Sequence, residues 1–112
     1  MPLPKENRLK AKKDFDNIFK NGRSIRGHFL LIKTIGAVSS SPRVGFIVPA
    51  KTVKKAVTRN KVKRILSSMV QQNLNKIRKD MVVLLLKMPL NKKEVKEALS
   101  KELWALISKI NG

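Results

Sequence analysis

The spacing of apolar residues near the start of the chain predicts a short amphipathic helix. Phe15, Ile18 and Phe19 lie at positions i, i+3 and i+4, so they share one face of a helix. An Asn-Gly pair follows, and such a pair favours helix termination. We expect this helix over about residues 12–20.

A second helix is predicted in the middle of the chain, from the stretch KKAVTRNKVKRIL at 54–66 to about residue 74. Its apolar residues fall at i, i+3, i+4, i+7 and i+8, which is one stripe of a helix with 3.6 residues per turn. They are Val62, Ile65, Leu66, Met69 and Val70. The remaining surface at the start of the helix is almost wholly basic, and it carries Arg59, Asn60, Lys61, Lys63 and Arg64.

A third helix is predicted near the end of the chain. Asn91 and Glu94 have the spacing of a capping box, in which two side chains satisfy the first backbone N–H groups. The inward stripe comprises Val95, Leu99, Leu103, Leu106 and Ile110. Trp104 falls off this stripe, so we expect it either to pack against the N-terminal arm or to mark an interface.

Three further segments have the pattern of β-strands. GHFLLIKTIG and RVGFIVPA are rich in β-forming residues, and AVSSSP between them suits a hairpin loop, which predicts two paired antiparallel strands. MVVLLLK is continuously apolar, as is typical of a strand buried on both faces, and we expect it to join the same sheet. The order α-β-β-α-β-α predicts an α+β sandwich.

The length of 112 residues predicts a single domain over 1–112, with residues 1–10 as a flexible arm. The formal net charge of the protein is +19, because it has 26 Lys and Arg against 7 Asp and Glu. No carboxylate occurs between Asn17 and Lys79, although this segment holds fifteen Lys and Arg. Because a solvated charged face normally mixes both signs, this distribution indicates a polyanionic partner, and nucleic acid is the first choice.

Few residues of the chain are suited to catalysis. There is no Cys, which excludes disulfides and thiol chemistry, and the scattered glycines form no phosphate-binding loop. Asp14 and Asp16 do not share a helix face, and His28 is the only histidine. We therefore expect no catalytic residues, metal site or cofactor-binding motif in the protein. With no signal peptide and no apolar run of membrane-spanning length, we expect a cytoplasmic protein that does not bind membranes.

The start of the second helix has the chemistry of a phosphate-binding surface. A helix N-terminus offers unpaired N–H groups and a partial positive charge. Arg59 can clamp two phosphate oxygens, Asn60 can bridge backbone or base edges, and Lys61 adds a point charge. Lys51, Lys54 and Lys55 extend this charge into the preceding loop. The residues alone do not distinguish RNA from DNA.

Several motifs together resemble those of the bacterial ribonuclease P protein component. AVTRNKVKRIL resembles the basic helix of that family, RVGFIVPAK precedes it and DMVVLLLK follows it. DFDNIFKNGR resembles the N-terminal helix of the family and the turn after it. The order and spacing of these pieces extend the resemblance over nearly the whole chain.

The resemblance implies a small mixed four-stranded sheet with three helices and a left-handed βαβ crossover, the fold called ribosomal protein S5 domain 2-like. It also implies a function as a subunit of a ribonucleoprotein endonuclease. In that family the RNA subunit removes the 5′ leader from precursor tRNA, and the protein binds that RNA and the leader. One protein per RNA is expected, with Mg²⁺ at the active site of the RNA and no activity of the protein alone.

The resemblance also implies roles for individual residues. Contact with the RNA subunit is expected from the basic motif and the loop before it: Lys54, Lys55, Arg59, Asn60, Lys61, Lys63 and Arg64. Contact with the leader is expected from Phe15 and Phe19, which match paired aromatic residues beside a central cleft; core packing is the alternative for either ring. By charge and position, Lys20, Arg23, Arg26 and Lys51 are further candidates for leader binding.

Other functions remain as alternatives. A structural ribosomal or RNA-packaging protein would share the small size and high charge, but would leave tRNA processing untouched. A cationic membrane-surface protein would need an amphipathic helix without a fixed core, whereas this chain has strands. An autonomous metal-dependent nuclease would cleave RNA without an RNA subunit.

Overall fold

The computed structural model describes residues 4–36, 42–72, 74–77, 79–89 and 94–111. Three helices are present in these ranges: α1 (Lys12–Asn21), α2 (Ala56–Gln72) and α3 (Val95–Asn111). The strands are β1 (Arg23–Arg26), β2 (Leu30–Gly36), β3 (Val44–Ile47) and β4 (Lys79–Leu85). Short 3₁₀ turns occupy Lys5–Asn7 and Leu74–Lys76. The three predicted helices are confirmed; Asn91, the predicted cap of α3, lies outside the described residues.

The four strands form one mixed sheet in the order β1-β2-β4-β3. β2 is antiparallel to both β1 and β4, whereas β3 is parallel to β4. The connection from β3 through α2 to β4 is therefore the βαβ crossover that the family resemblance implies. The four-stranded mixed sheet with three helices confirms the predicted α+β class.

The predicted hairpin between β2 and β3 is wrong, because β4 lies between these two strands. The composition of β4 explains this order. Met81, Val82 and Val83 are all almost fully buried, so the strand is apolar on both faces and fits the interior of the sheet. The short strand β1 was not predicted at all, since RSIR is mostly polar and exposed at the sheet edge.

The main hydrophobic core lies between one face of the sheet and the helices α2 and α3. Alternate residues of the central strands, such as Ile32 and Val83, meet the inward stripes of both helices there. Val62 and Leu66 of α2 and Leu103 of α3 are buried in this core. The predicted helix stripes therefore point inward as expected, with Ile65 and Ile110 half-buried at their margins.

Trp104 also packs against the main core, where it is half-buried. For the described residues, the expectation that it contacts the N-terminal arm is wrong, because this part of the arm packs on the other side of the sheet. Leu9 of the arm belongs to a second, smaller cluster with Ile18 of α1 and Val82 of β4.

The described part of the N-terminal arm is attached to the free edge of β3. Arg8 forms a β-bridge with Val44, and the N–H of Leu9 donates to the carbonyl of Val44 at 3.2 Å. The side-chain amide of Asn7, itself buried, donates to the carbonyl of Pro42 at 2.7 Å. Residues 4–10 thus cover one edge of the sheet; the flexibility of the arm stays a prediction.

A carboxylate of α3 fixes the turn between β1 and β2. Glu102 accepts hydrogen bonds from three consecutive backbone N–H groups, of His28, Phe29 at 2.7 Å and Leu30 at 2.8 Å. The backbone of Gly27 approaches the same carboxylate so closely that a Cβ would lie 2.5 Å from its oxygen. Glu102 therefore attaches α3 to the turn and satisfies backbone groups that the sheet leaves unpaired.

A second carboxylate cluster fixes α1 on the other face of the sheet. The guanidinium of Arg43, just before β3, lies 2.9 Å from the carboxylate of Asp80, whose side chain is 1% exposed. The backbone N–H of Arg43 donates to the same carboxylate at 2.9 Å. Arg43 also pairs with Asp14 of α1 at 3.2 Å. The hydrogen bond to Asp80 is the main cause that raises the pKa of Arg43 above its usual value.

We expect Arg43→Met to lower the free energy of unfolding by about 3 kcal/mol, because it leaves the buried Asp80 carboxylate without its cation. Asp14→Asn is the matched control. Its pair with Arg43 is 28% exposed on both sides, so its loss should cost less than about 1 kcal/mol. Urea denaturation followed by circular dichroism measures both values. Equal destabilisation by the two variants would contradict the central role of the Arg43–Asp80 pair.

Candidate nucleic-acid interface

The first surface of interest is the N-terminal half of α2 with the loop before it, called here the α2 basic face. No acidic residue lies in the first turn of α2. None of its cations pairs with a carboxylate within the described parts of the chain. Six of the seven residues predicted to contact the RNA subunit are exposed here, namely Lys54, Lys55, Asn60, Lys61, Lys63 and Arg64.

Arg59, the seventh predicted residue of this surface, is half-buried and has a structural role as well. Its Nη1 donates to the carbonyls of Val53 at 2.9 Å and Lys54 at 2.8 Å. These bonds hold the loop before α2 against the first turn of the helix. A guanidinium has five N–H donors, so this role uses only one of its two amino groups.

The second surface lies on the opposite face of the sheet, beside α1. Strand register places Leu31, Leu84 and Ile47 side by side in one row across β2, β4 and β3. All three are half-buried, and Arg26 of β1 extends the row at its end. We call this row and the neighbouring side of α1 the cleft. From β1 to β3 it spans three strand spacings, or about 14 Å.

Phe15 of α1 lies over the neighbouring row of the sheet. A Cβ on Gly45 would lie 2.5 Å from atoms of the Phe15 ring, so the ring packs directly against the backbone of β3. A larger residue at position 45 would have to displace this ring, so glycine permits the close approach. The Phe15 ring packs on the small cluster and yet stays half-exposed.

Phe19, one turn later, contacts the other side of the same row. The ammonium of Lys33 in β2 lies 5.3 Å from the centre of its ring and donates to the carbonyl of Phe19 at 2.8 Å. Both distances fit a cation–π contact and a hydrogen bond, which together orient the ring. Like Phe15, Phe19 is half-buried on the small cluster, so each ring combines packing with partial exposure.

The other predicted leader-binding residues are distributed unequally around the cleft. Arg26 and Lys51 are exposed at the same end of the sheet but on opposite edges, Arg26 on β1 and Lys51 in the turn after β3. Lys20 is exposed in the last turn of α1. Arg23 pairs with Thr34, a position that alternation assigns to the face of the main core. The structure thus separates Arg23 from the row that ends at Arg26.

Three residues of the cleft, Leu31, Ile47 and Leu84, and Lys33 in the neighbouring row were not predicted from the sequence as parts of a candidate site. The lysine within the apolar strand LLIKTIG was the one available signal for Lys33. The three apolar residues gave no signal, because only the strand order shows that they form one row. Their role as a cleft floor follows from the register with β4 in the middle.

The other polar candidates take part in local structure. Asp14 pairs with Arg43, and the exposed His28 has an edge-on contact with Phe29 at 4.5 Å between ring centres. Among the described residues, no group of three or more His, Cys, Asp or Glu side chains is placed to hold a metal ion. None of the described helices has the length and apolar character needed to cross a membrane.

Comparison with known proteins relates this arrangement to one family. The family model Ribonuclease P matches residues 3–111. The ribonuclease P protein component of Pseudanabaena sp. is 35% identical over 77 residues, which cover 68% of this chain and 66% of that protein. That of Syntrophomonas wolfei is 29% identical over 108 residues, covering 96% of this chain and 89% of the relative. That of Picosynechococcus sp. is 41% identical over 64 residues, which cover 57% of this chain and 55% of that protein.

A solved structure has the same fold. The ribonuclease P protein from Thermotoga maritima superposes with a TM-score of 0.76 at 28% sequence identity, covering 94% of this chain and 98% of that one. With the family model spanning residues 3–111, the chain belongs to the Ribonuclease P family, as its basic helix and strand motifs indicate.

Proposed function

We propose that this chain is the protein subunit of ribonuclease P and assists an RNA subunit in removing the 5′ leader from precursor tRNA. In this proposal the α2 basic face binds the RNA subunit, and the cleft binds the leader. The observation that carries it is the separation of the two surfaces on opposite faces of one sheet. One surface is basic and free of carboxylates, while the other is apolar and aromatic with cations at its margins.

The α2 basic face is suited to a folded RNA with closely spaced phosphates. Lys61 and Arg64 lie one turn apart on the exposed side of the helix, and Lys54 and Lys55 continue the charge before it. Because no carboxylate pairs with these cations in the described residues, phosphate binding breaks no ion pair. Arg59 joins the loop to the helix, so it positions the lysines and still has N–H donors for a phosphate.

The cleft is suited to an extended single strand. Its floor of Leu31, Leu84 and Ile47 offers apolar contact to bases without hydrogen-bond readout, and Phe19 presents part of its ring beside it. Stacking on an aromatic side chain tolerates any base, which suits a leader of variable sequence. Arg26 and Lys51 at the two edges are placed for backbone phosphates, and Lys33 holds the ring of Phe19 in place.

The high charge of the protein suggests how it helps an RNA enzyme. Two RNA molecules repel each other, and a protein of net charge +19 between them lowers that repulsion. We expect the Mg²⁺ ions of the reaction to be bound by the RNA, with the protein lowering the Mg²⁺ concentration that the RNA requires. The protein alone should be inactive. We further propose that one protein binds each RNA subunit. The complex is expected in the cytoplasm and not at a membrane.

A structural role in packaging ribosomal or other RNA is less well supported. It would explain the α2 basic face, but it gives no purpose to the cleft. The relatives and solved structures matched above are ribonuclease P proteins. Stimulation of precursor tRNA cleavage at low Mg²⁺ by the protein distinguishes the two functions.

Two cations of the α2 basic face can be neutralised together to test RNA binding. Lys61→Gln combined with Arg64→Gln should weaken binding to ribonuclease P RNA and lower its salt dependence. The slope of log K against log salt should fall by about 0.7 to 0.9 for each phosphate that is no longer neutralised. Lys96→Gln combined with Lys101→Gln removes the same charge from exposed positions of α3 and serves as control. Equal slopes for both double variants would show that only net charge matters.

The aromatic side of the cleft can be tested through the length of the leader. Phe19→Leu should raise the KM of the holoenzyme about five- to tenfold for precursor tRNA with a leader of several nucleotides, because one base can no longer stack. A substrate whose leader is a single nucleotide should be unaffected. Phe46→Leu, a half-buried ring on the main-core side of β3, is the matched control. An equal rise in KM for both leader lengths would place the leader elsewhere.

A further inference from the structure

Val57 is an unusual residue on the α2 basic face. This residue is 78% exposed, and in the described part of the chain it is the one large apolar residue that is exposed. It lies in the first turn of α2, two positions before Arg59. Val57 does not pack against the main core.

The helix places Val57 at the centre of the polar residues of this face. Asn60, Lys61 and Arg64 follow it by three, four and seven positions, so all four share one side of α2. Val62 and Leu66, which are buried, define the opposite side. An isopropyl group therefore lies among the side chains proposed to bind phosphate.

Valine at this position does not stabilise the free protein through any packing contact on the main core. A β-branched residue is a poorer helix former than alanine, and its exposed methyl groups are in contact with water. Single exposed apolar residues are common on proteins and need no explanation where they are scattered. Val57 differs because it lies inside a surface that is otherwise basic and proposed to be covered by RNA.

We propose that Val57 provides the apolar contact of the RNA interface, burying its isopropyl group against ribose or a base edge. Lys61 and Arg64 would hold the phosphates beside it. The proposal rests on binding of the RNA subunit by α2. The occupant is RNA rather than a protein partner, because the surrounding cations have no carboxylate among the described residues and complement a polyanion. Folded RNA exposes riboses and base edges in its wide, shallow minor groove, where such a contact fits.

This contact would make part of the affinity independent of salt. Phosphate contacts release counterions and weaken as salt increases, whereas burial of methyl groups does not. It would also distinguish RNA from a bare polyphosphate, which has neither sugar nor base. Val57 would therefore contribute to selection of a shaped RNA, while the lysines bind any polyanion.

The test compares Val57→Ala with Lys61→Gln in binding to ribonuclease P RNA and to inorganic polyphosphate at several salt concentrations. Val57→Ala should weaken RNA binding about five- to fifteenfold, because two methyl groups are no longer buried, with an unchanged salt slope. Its polyphosphate binding should not change. Lys61→Gln should weaken binding to both polyanions and lower the salt slope.

Thermal unfolding of Val57→Ala separates this role from a structural one. Because alanine is the better helix former, the unfolding midpoint should stay equal or rise. A lower midpoint would overturn the inference, and so would RNA binding unchanged by Val57→Ala while Lys61→Gln weakens it. If Lys61→Gln also left RNA binding intact, the proposed interface on α2 would be wrong together with this inference.

Discussion

The structure depends on the ion pairs and hydrogen bonds of a few carboxylates, since the chain has only seven of them against 26 lysine and arginine side chains. At least three of them act inside the fold. Asp80 is buried against Arg43, Asp14 pairs with the same guanidinium, and Glu102 accepts three backbone hydrogen bonds. These carboxylates attach α1 and α3 to the sheet at positions away from α2. The cations of the α2 basic face consequently have no carboxylate partner among the described residues, and they repel one another in the free protein.

The strand order gives the two faces of the sheet different surroundings. With β4 between β2 and β3, α2 must cross one face of the sheet, and α3 joins it there over the main core. The other face is covered only in part, by α1 and its small cluster, which leaves the row from Arg26 to Ile47 beside the helix. The fold thereby presents a basic helix on one side of the sheet and an apolar cleft on the other. In the proposed function, each of these surfaces contacts a different RNA molecule.

Much of this arrangement could be predicted from the sequence, since it depends on local pattern. The helix stripes, the basic outward side of α2 and the burial of β4 follow from residue spacing alone. The position of β4 between two earlier strands could not be derived in this way. The apolar patterns of β2 and β3 are equally compatible with direct pairing of these two strands and with pairing of each to β4. The edge strand β1 was missed because its four residues carry little apolar signal.

The details of the site depend on contacts distant in sequence. Asp80 meets Arg43 across 37 positions, and Glu102 meets Phe29 across 73. No residue pattern reports such pairs. The bonds of Arg59 to the carbonyls of Val53 and Lys54 are local in sequence, but they depend on how the loop before α2 folds back on the helix, which residue spacing does not show. The cleft floor, likewise, exists only through the strand register.

The central claim is that two faces of this protein contact two different RNA molecules. Site-specific photocrosslinking in the assembled holoenzyme tests it most directly, with benzoylphenylalanine placed at Phe19 or at Lys61 and a precursor tRNA labelled in its leader. The account predicts that the probe at Phe19 crosslinks to the leader and that the probe at Lys61 crosslinks to the RNA subunit. Crosslinks from both positions to the same RNA, or exchanged partners, would contradict it.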